Sequence, residues 1–282
     1  MPFYAANFIY NGIISSEYGL RITSSSGESS DAGSDVALFT QEIYRRPRIY
    51  LMGVQQSPTL EIPFEINTRY ELSATEDSVI SNWLFGQMNY KKLQIVQSDM
   101  QYVYYNAIFT GKTTVKVGNI IRGYSGIVKC DSPFAWEYAK TITRNSTTVP
   151  LRYNVNGYLT DDYFTINNTS DNADYTYPTI TFTMNKFGGD LSITNSSDNN
   201  REFLFTDLSP NEVITVDNDL QTISSSIVGV NRLLNFVHYE LDGSISDTSY
   251  NWFRYVPKEN DLAISGNVIS VAFQHQFARK IA

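Results

Sequence analysis

Apolar and polar residues alternate along most of this chain, and that period predicts strands. Near the start, in NFIYNGII, Phe8 and Tyr10 alternate, Asn11-Gly12 is a strong hairpin-turn dipeptide, and Ile13-Ile14 resumes the apolar pattern. Strands are expected around Glu42–Leu51 and Thr59–Ile66, then at Lys92–Val96, Tyr102–Phe109, Thr113–Val117 and Ile120–Lys129. Ser98-Asp99, Gly111 and Gly118-Asn119 are the breaks between the later ones. SSSGESSDAGSD, residues 24–35, holds no packing residue beyond one Ala and reads as an exposed, flexible loop.

One segment has another period. In SATEDSVISNWLFGQ, Ser73 and Glu76 form a capping box, Asp77 adds negative charge to the first turn, and Gly86 is a stop signal. Ile80, Trp83 and Leu84 make an apolar stripe, so a helix near 75–85 is expected, with Trp83 docking it onto a sheet.

Beyond residue 145 the pattern is strands throughout: Leu151–Val155, Tyr163–Ile166, Thr179–Thr183, Leu191–Thr194, Glu202–Phe205, Val213–Val216, Thr222–Ile227, Trp252–Tyr255 and Val268–Phe277. Turn clusters divide them at the spacing of a β-sandwich. In the last one Ile269, Val271, Phe273, His275 and Phe277 are expected on one face. Between the halves lies CDSPFAWEYAK, residues 130–140, where Pro133 interrupts a strand. After it Phe134, Trp136 and Tyr138 point one way while Ala135, Glu137 and Ala139 point the other, as in a half-buried strand leaving a domain.

Composition sharpens this picture. The 282 residues suffice for two domains, and 42% hydrophobic with 14% aromatic supplies cores. Basic and acidic residues balance over 1–144, so the whole net charge of −8 falls on 145–282. That asymmetry supports a division into a first domain, 1–144, and a second, 145–282. A neutral or acidic surface argues against specific nucleic-acid binding. No apolar stretch is long enough to insert in a membrane, and the N-terminus lacks the basic and apolar segments of a secretory signal. The single cysteine, Cys130, fits a reducing site of synthesis.

Chemistry is scarce. His275 reads as a packed core histidine, His238 has no ligating neighbour, and Cys130 reads as a small buried hydrophobe. Asp161-Asp162, Asp171 with Asp174, and Asp217-Asn218-Asp219 could bind calcium or act on a glycosidic bond, but they read more simply as turn residues. No nucleophile elbow, phosphate loop or dinucleotide fingerprint occurs. The expectation is therefore a non-enzyme with no catalytic, cofactor-binding or metal-binding residues.

Taken in order, these motifs resemble the siphophage distal tail proteins, hub components of the tail tip. The resemblance runs nearly end to end. It rests on FIYNGIISSEYGLRI at the start, the helix ending in Trp83-Leu84 followed by LQIVQSDMQYVYYNAIF, and the CDSPF seam. NNTSDNADYTYPTITFT, FLFTDLSPNEVITVDNDLQTI and the closing VISVAFQHQF continue it. It implies a β-rich, tail-tube-like domain that assembles into a ring, hexameric in the family, followed by a peripheral galectin-like β-sandwich. It also implies a virion location at the end of a long non-contractile tail, after synthesis in the host cytoplasm. Implied partners are the tail-tube protein, a hub or fibre-bearing protein and receptor-binding proteins, with DNA passing through the ring. The long loop at 24–35 and the acidic second half depart from the family. A carbohydrate-binding module, stacking sugars on Trp252, Phe253 and Tyr255, is the alternative. A carboxylate glycosidase is a more distant one.

Overall fold

A computed structural model describes residues 7–23, 36–44, 49–68, 70–145, 152–153, 159–237 and 251–280. It is mainly β, with antiparallel pairing throughout and one α-helix among the described residues. The chain divides into two compact units, one of residues 1–138 with 278–282 and one of residues 139–277.

The first unit begins with β1 (Asn7–Tyr10) and β2 (Ile13–Ile14). Asn11 and Gly12 both have positive φ, 51° and 81°, as the two-residue hairpin turn requires. Then come β3 (Leu20–Thr23), β4 (Val36–Glu42), β5 (Ile49–Gln56), β6 (Glu61–Thr68), α1 (Ala74–Phe85), β7 (Lys91–Val96), β8 (Val103–Val117), β9 (Ile120–Cys130) and β10 (Ala135–Glu137). The main sheet runs β2-β1-β7-β8-β9-β6-β3, with β10 also paired to β8.

The helix forms where its cap dictates. Ser73 Oγ accepts from the Glu76 amide at 3.2 Å, and the Glu76 carboxylate accepts from the Ser73 amide at 2.8 Å. Ile80, Trp83 and Leu84 are its buried residues. The Trp83 indole stacks parallel to Phe8 at 5.8 Å and donates its N–H to the Tyr10 carbonyl at 3.0 Å. That single side chain ties the helix to the first strand, and Phe109 packs edge-on against Tyr10 and Phe64 beneath it, each at 4.8 Å.

Three expectations change here. Gly111 does not divide two strands: at φ +66° it is accommodated in a bulge between Thr110 and Thr113, and β8 runs on through it. The strand expected at Glu42–Leu51 is two strands, because Glu42 ends β4 and Ile49 begins its partner β5. At the seam Phe134 and Tyr138 do not share one environment: Phe134, Ala135 and Glu137 are buried while Tyr138 is exposed. Glu137 can face inward because a guanidinium meets it there, as described below.

The second unit contains β11 (Lys140–Asn145), β12 (Arg152–Tyr153), β13 (Leu159–Asn168), β14 (Thr179–Met184), β15 (Gly189–Asn195), β16 (Arg201–Leu208), β17 (Val213–Asp217), β18 (Thr222–Ser225), β19 (Phe236–Val237), β20 (Lys258–Gly266) and β21 (Val268–His275). They form two sheets, β11-β21-β14-β17-β18 and β12-β13-β20-β15-β16-β19. Phe182, Ile214 and Phe273 from one share a core with Ile193, Phe205 and Ile264 from the other, all fully buried, so this unit is a sandwich.

Two readings are corrected in this unit. Trp252–Tyr255 is no strand; among the described residues its only ladder contact is a bridge between Tyr255 and Thr176. Ile269 leaves the apolar face of β21, since the ladder slips between Thr183 and Met184 and turns it outward. Three strands of this unit, β11, β19 and β20, lie outside the expected ones.

The chain ends back in the first unit. There β22 (Ala278–Arg279) pairs with β10, Ala135 opposite Arg279, making that sheet nine-stranded. Arg279 donates to the carboxylate of Glu137, which is only 8% exposed. The second unit is thus inserted between two neighbouring strands of the first.

Candidate functional site

The described residues that could carry chemistry are engaged in structure. Cys130 is buried at the end of β9, and burial, then the nearby Asp131 charge, pushes its thiol up to about 12. His275 is buried, stacked on Phe277 at 4.5 Å with Tyr255 edge-on beyond. His238 lies outside the described residues, as does the side chain of Asp161. Asp162 receives both Nε and Nη2 of Arg144 at 2.8 Å. Asp217 accepts from the amides of Asp219 and Leu220, closing a turn, while Asn218 is buried and bonds the Pro178 carbonyl at 2.7 Å. Asp171 and Asp174 sit in the same loop, where Asn172 Oδ1 accepts from the Asp174 amide at 3.2 Å. Among the described residues no three His, Cys, Asp or Glu side chains are grouped to hold a metal.

The aromatics proposed for sugar stacking are core residues. Phe253 and Tyr255 are fully buried, and Trp252 is 9% exposed against Phe236. Their irregular backbone is satisfied by buried asparagines. Phe253 donates to Asn218 Oδ1, Arg254 O accepts from Asn195, and Val256 bonds Asn260 through both its amide and its carbonyl. Two charged networks lock the same unit. Asp198 takes Arg201 and Arg254 at 2.9 and 2.8 Å. Glu212 takes Arg232 on both oxygens, at 2.8 and 2.6 Å, plus the Ser225 hydroxyl and the Ser209 amide.

What stands out in the first unit is a surface. Among the described residues the hairpin of β4 and β5 is a sheet of its own, paired to no other strand. Leu38, Phe39, Ile49, Leu51 and Met52 are all more than half exposed. Leu38, paired with Val54, shares one face with Leu51, opposite Thr40; Phe39 and Tyr50 lie on the other. A lone two-stranded hairpin is marginal in water, and one with apolar side chains on both faces is a surface built to be covered. Fully burying such a side chain is worth roughly 1.5–3 kcal/mol, so covering the exposed halves of these five yields on the order of 5 kcal/mol.

Comparison with known proteins gives this architecture a setting. The family model described as "Phage tail protein N-terminal domain" matches residues 3–132, and that described as "Phage tail C-terminal domain" matches residues 148–275. The chain belongs to a family of phage tail proteins. No curated protein has a sequence significantly similar to it. Among solved structures, this tail protein is similar to SPP1 Dit, described as "a paradigm of hub adsorption apparatus in Gram-positive infecting phages". The TM-score is 0.67 at 11% identity, covering 97% of this chain and 100% of that one. It is also similar to a chain of the phage p2 baseplate in its activated conformation, with TM-score 0.53 at 12% identity, covering 99% and 100%. At such identities the likeness is one of fold, and it extends over both units. As a phage tail protein the chain is a component of the virion. No helix among its described residues is long and apolar enough to cross a membrane.

Proposed function

We propose that this tail protein forms a closed ring, six-fold, at the distal end of a long non-contractile tail tube. The first unit makes the ring, joins the tube above to the hub or fibre-bearing protein below, and leaves a passage for DNA. The second unit serves receptor-binding proteins. Its role is structural rather than catalytic. The observation that carries this reading is the β4–β5 hairpin. Head-to-tail contacts close into rings when one patch of each copy fits a different patch of the next. A separate hairpin whose apolar side chains are exposed among the described residues supplies one half of such a contact. The likeness to SPP1 Dit over nearly the whole of both chains supports the same reading.

The test is native mass spectrometry and negative-stain imaging of the purified chain over a concentration series, alone and with tail tubes that lack their tips. Six-membered rings are expected, and Leu38→Asp with Leu51→Asp should leave well-folded monomers. Wild-type monomers under every one of these conditions would sink the proposal.

A further inference from the structure

We propose that the outer face of the six-stranded sheet in the second unit binds a neutral carbohydrate. An open groove of about 570 Å³ lies over β13, β15 and β20. That volume falls within the range of small-ligand sites and accommodates one or two sugar rings.

Most of the groove's lining comes from residues that the pleat turns away from the core. In one cross-strand row Tyr163 stands opposite Ala263, and Ala263 opposite Thr194. A large ring therefore borders two small side chains, which makes a wall and a floor. Tyr163 is 71% exposed, whereas Ile166, three residues on and so in the opposite phase, is 2% exposed. In the next row Thr165 faces Asp261, and its hydroxyl donates to Asp261 Oδ1 at 2.6 Å. The Asp261 backbone is held as well: its amide donates to Ser197 Oγ and its carbonyl accepts from Ser196 Oγ, both at 3.0 Å. Ser265 supplies a further hydroxyl on the other side of Ala263. The carboxylate is thus fixed in place beside an aromatic wall and a row of hydroxyls.

This chemistry selects its ligand. The described residues that line the groove include a carboxylate and no Lys, Arg or His. A phosphate, a sulfate or a nucleic acid would meet a like charge with nothing to compensate it. A purely apolar ligand would bury the hydroxyls of Thr194 and Ser265 without partners. A cationic ligand would suit Asp261 but would also leave those hydroxyls unpaired. A neutral pyranose satisfies every group: its C–H face packs on Tyr163, while its hydroxyls pair with Asp261, Thr194 and Ser265. This site is separate from the buried Trp252, Phe253 and Tyr255, and it does not depend on the ring assembly.

Saturation-transfer NMR on the intact chain tests it, with a panel of neutral hexoses, deoxyhexoses, N-acetylhexosamines and their disaccharides. Choline and inorganic phosphate run in parallel. Saturation of the C–H protons of at least one sugar is expected. Tyr163→Ala and Ala263→Arg should each weaken that sugar by about tenfold or more, and Tyr163→Phe by less than about threefold. Tyr163 is exposed, so its removal should spare the fold, as amide exchange across β13 and β20 will report. The proposal fails if no sugar in the panel binds, if binding survives both disruptive variants, or if only choline or only phosphate binds.

Discussion

Replacing Arg232 by methionine should open the second unit. The side chains of Arg232 and Glu212 are 9% and 0% exposed. The guanidinium also donates to Ser209 Oγ at 2.8 Å and Asn235 Oδ1 at 3.2 Å, so one residue gathers both ends of the loop before β17, Ser209 and Glu212, and the turn before β19. Without it the Glu212 carboxylate keeps only the Ser225 hydroxyl and the Ser209 amide inside the protein. Removing one member of an enclosed pair costs about 3–5 kcal/mol, because the remaining charge is stranded away from water. Amide exchange measured by mass spectrometry on the full chain reads this unit separately from the first. Core amides of β16 and β17, which exchange through opening of the whole unit, should speed up by roughly two to four powers of ten. Glu212→Leu combined with Arg232→Met removes both charges and should recover most of the loss, to within about 1–2 kcal/mol of wild type. A single variant costing under about 1 kcal/mol, or a double variant as weak as the single, would refute the reasoning.

Acid should weaken the same unit. Burial is the largest influence on Glu212 and on Asp198 and pushes each upward, but the hydrogen bonds and charges of Arg232 on one, and of Arg254 and Arg201 on the other, together hold both below their usual values. Folded values lower than unfolded ones mean the contribution is complete above the unfolded range and is lost as the pH falls below about 4.5, which thermal unfolding across pH will track. Deleting residues 278–282 removes β22 and takes Arg279 from Glu137. Exchange protection should fall at 103–105 and 135–137, while 262–264 in the second unit stays protected; equal losses in both units would contradict the division. Cys130 should resist a maleimide in the native protein and react only at the rate at which β8 and β9 open, so rapid native labelling would show the thiol is not enclosed.

The legible parts of the chain are those whose signals are local. Ser73 and Glu76 bond each other within one turn, and Asn11-Gly12 reverses the chain within two residues, so both could be read directly. Strands such as β14, with Ile180 and Phe182 inward between threonines, declare themselves by alternation. By contrast β20 begins Lys-Glu-Asn-Asp and looks like a turn, because its first inward residue is the buried amide Asn260. Trp252–Tyr255 shows the reverse. It has the composition of a strand, but Phe253 and Arg254 bond the side chains of Asn218 and Asn195 and Tyr255 meets Thr176 in a single bridge, and no local pattern names partners that are distant in sequence. The hairpin of β4 and β5 alternates like any other, since an apolar face looks the same in sequence whether its own chain or another covers it. The groove beside Tyr163 was hidden for a related reason: it exists only in the register of β13 on β20 and of β20 on β15.

The return of the chain to β10 also sets an order on biosynthesis. Most of the first unit leaves the ribosome early, yet its nine-stranded sheet lacks its last strand until residue 279 has been made. The second unit, contained between Ala139 and Phe277, can fold while the first is still waiting. Only a chain translated through β22 completes the sheet and brings a cation to Glu137. A prematurely terminated chain would lack this cation and would carry an open strand edge at β10, the kind of edge that pairs with other chains.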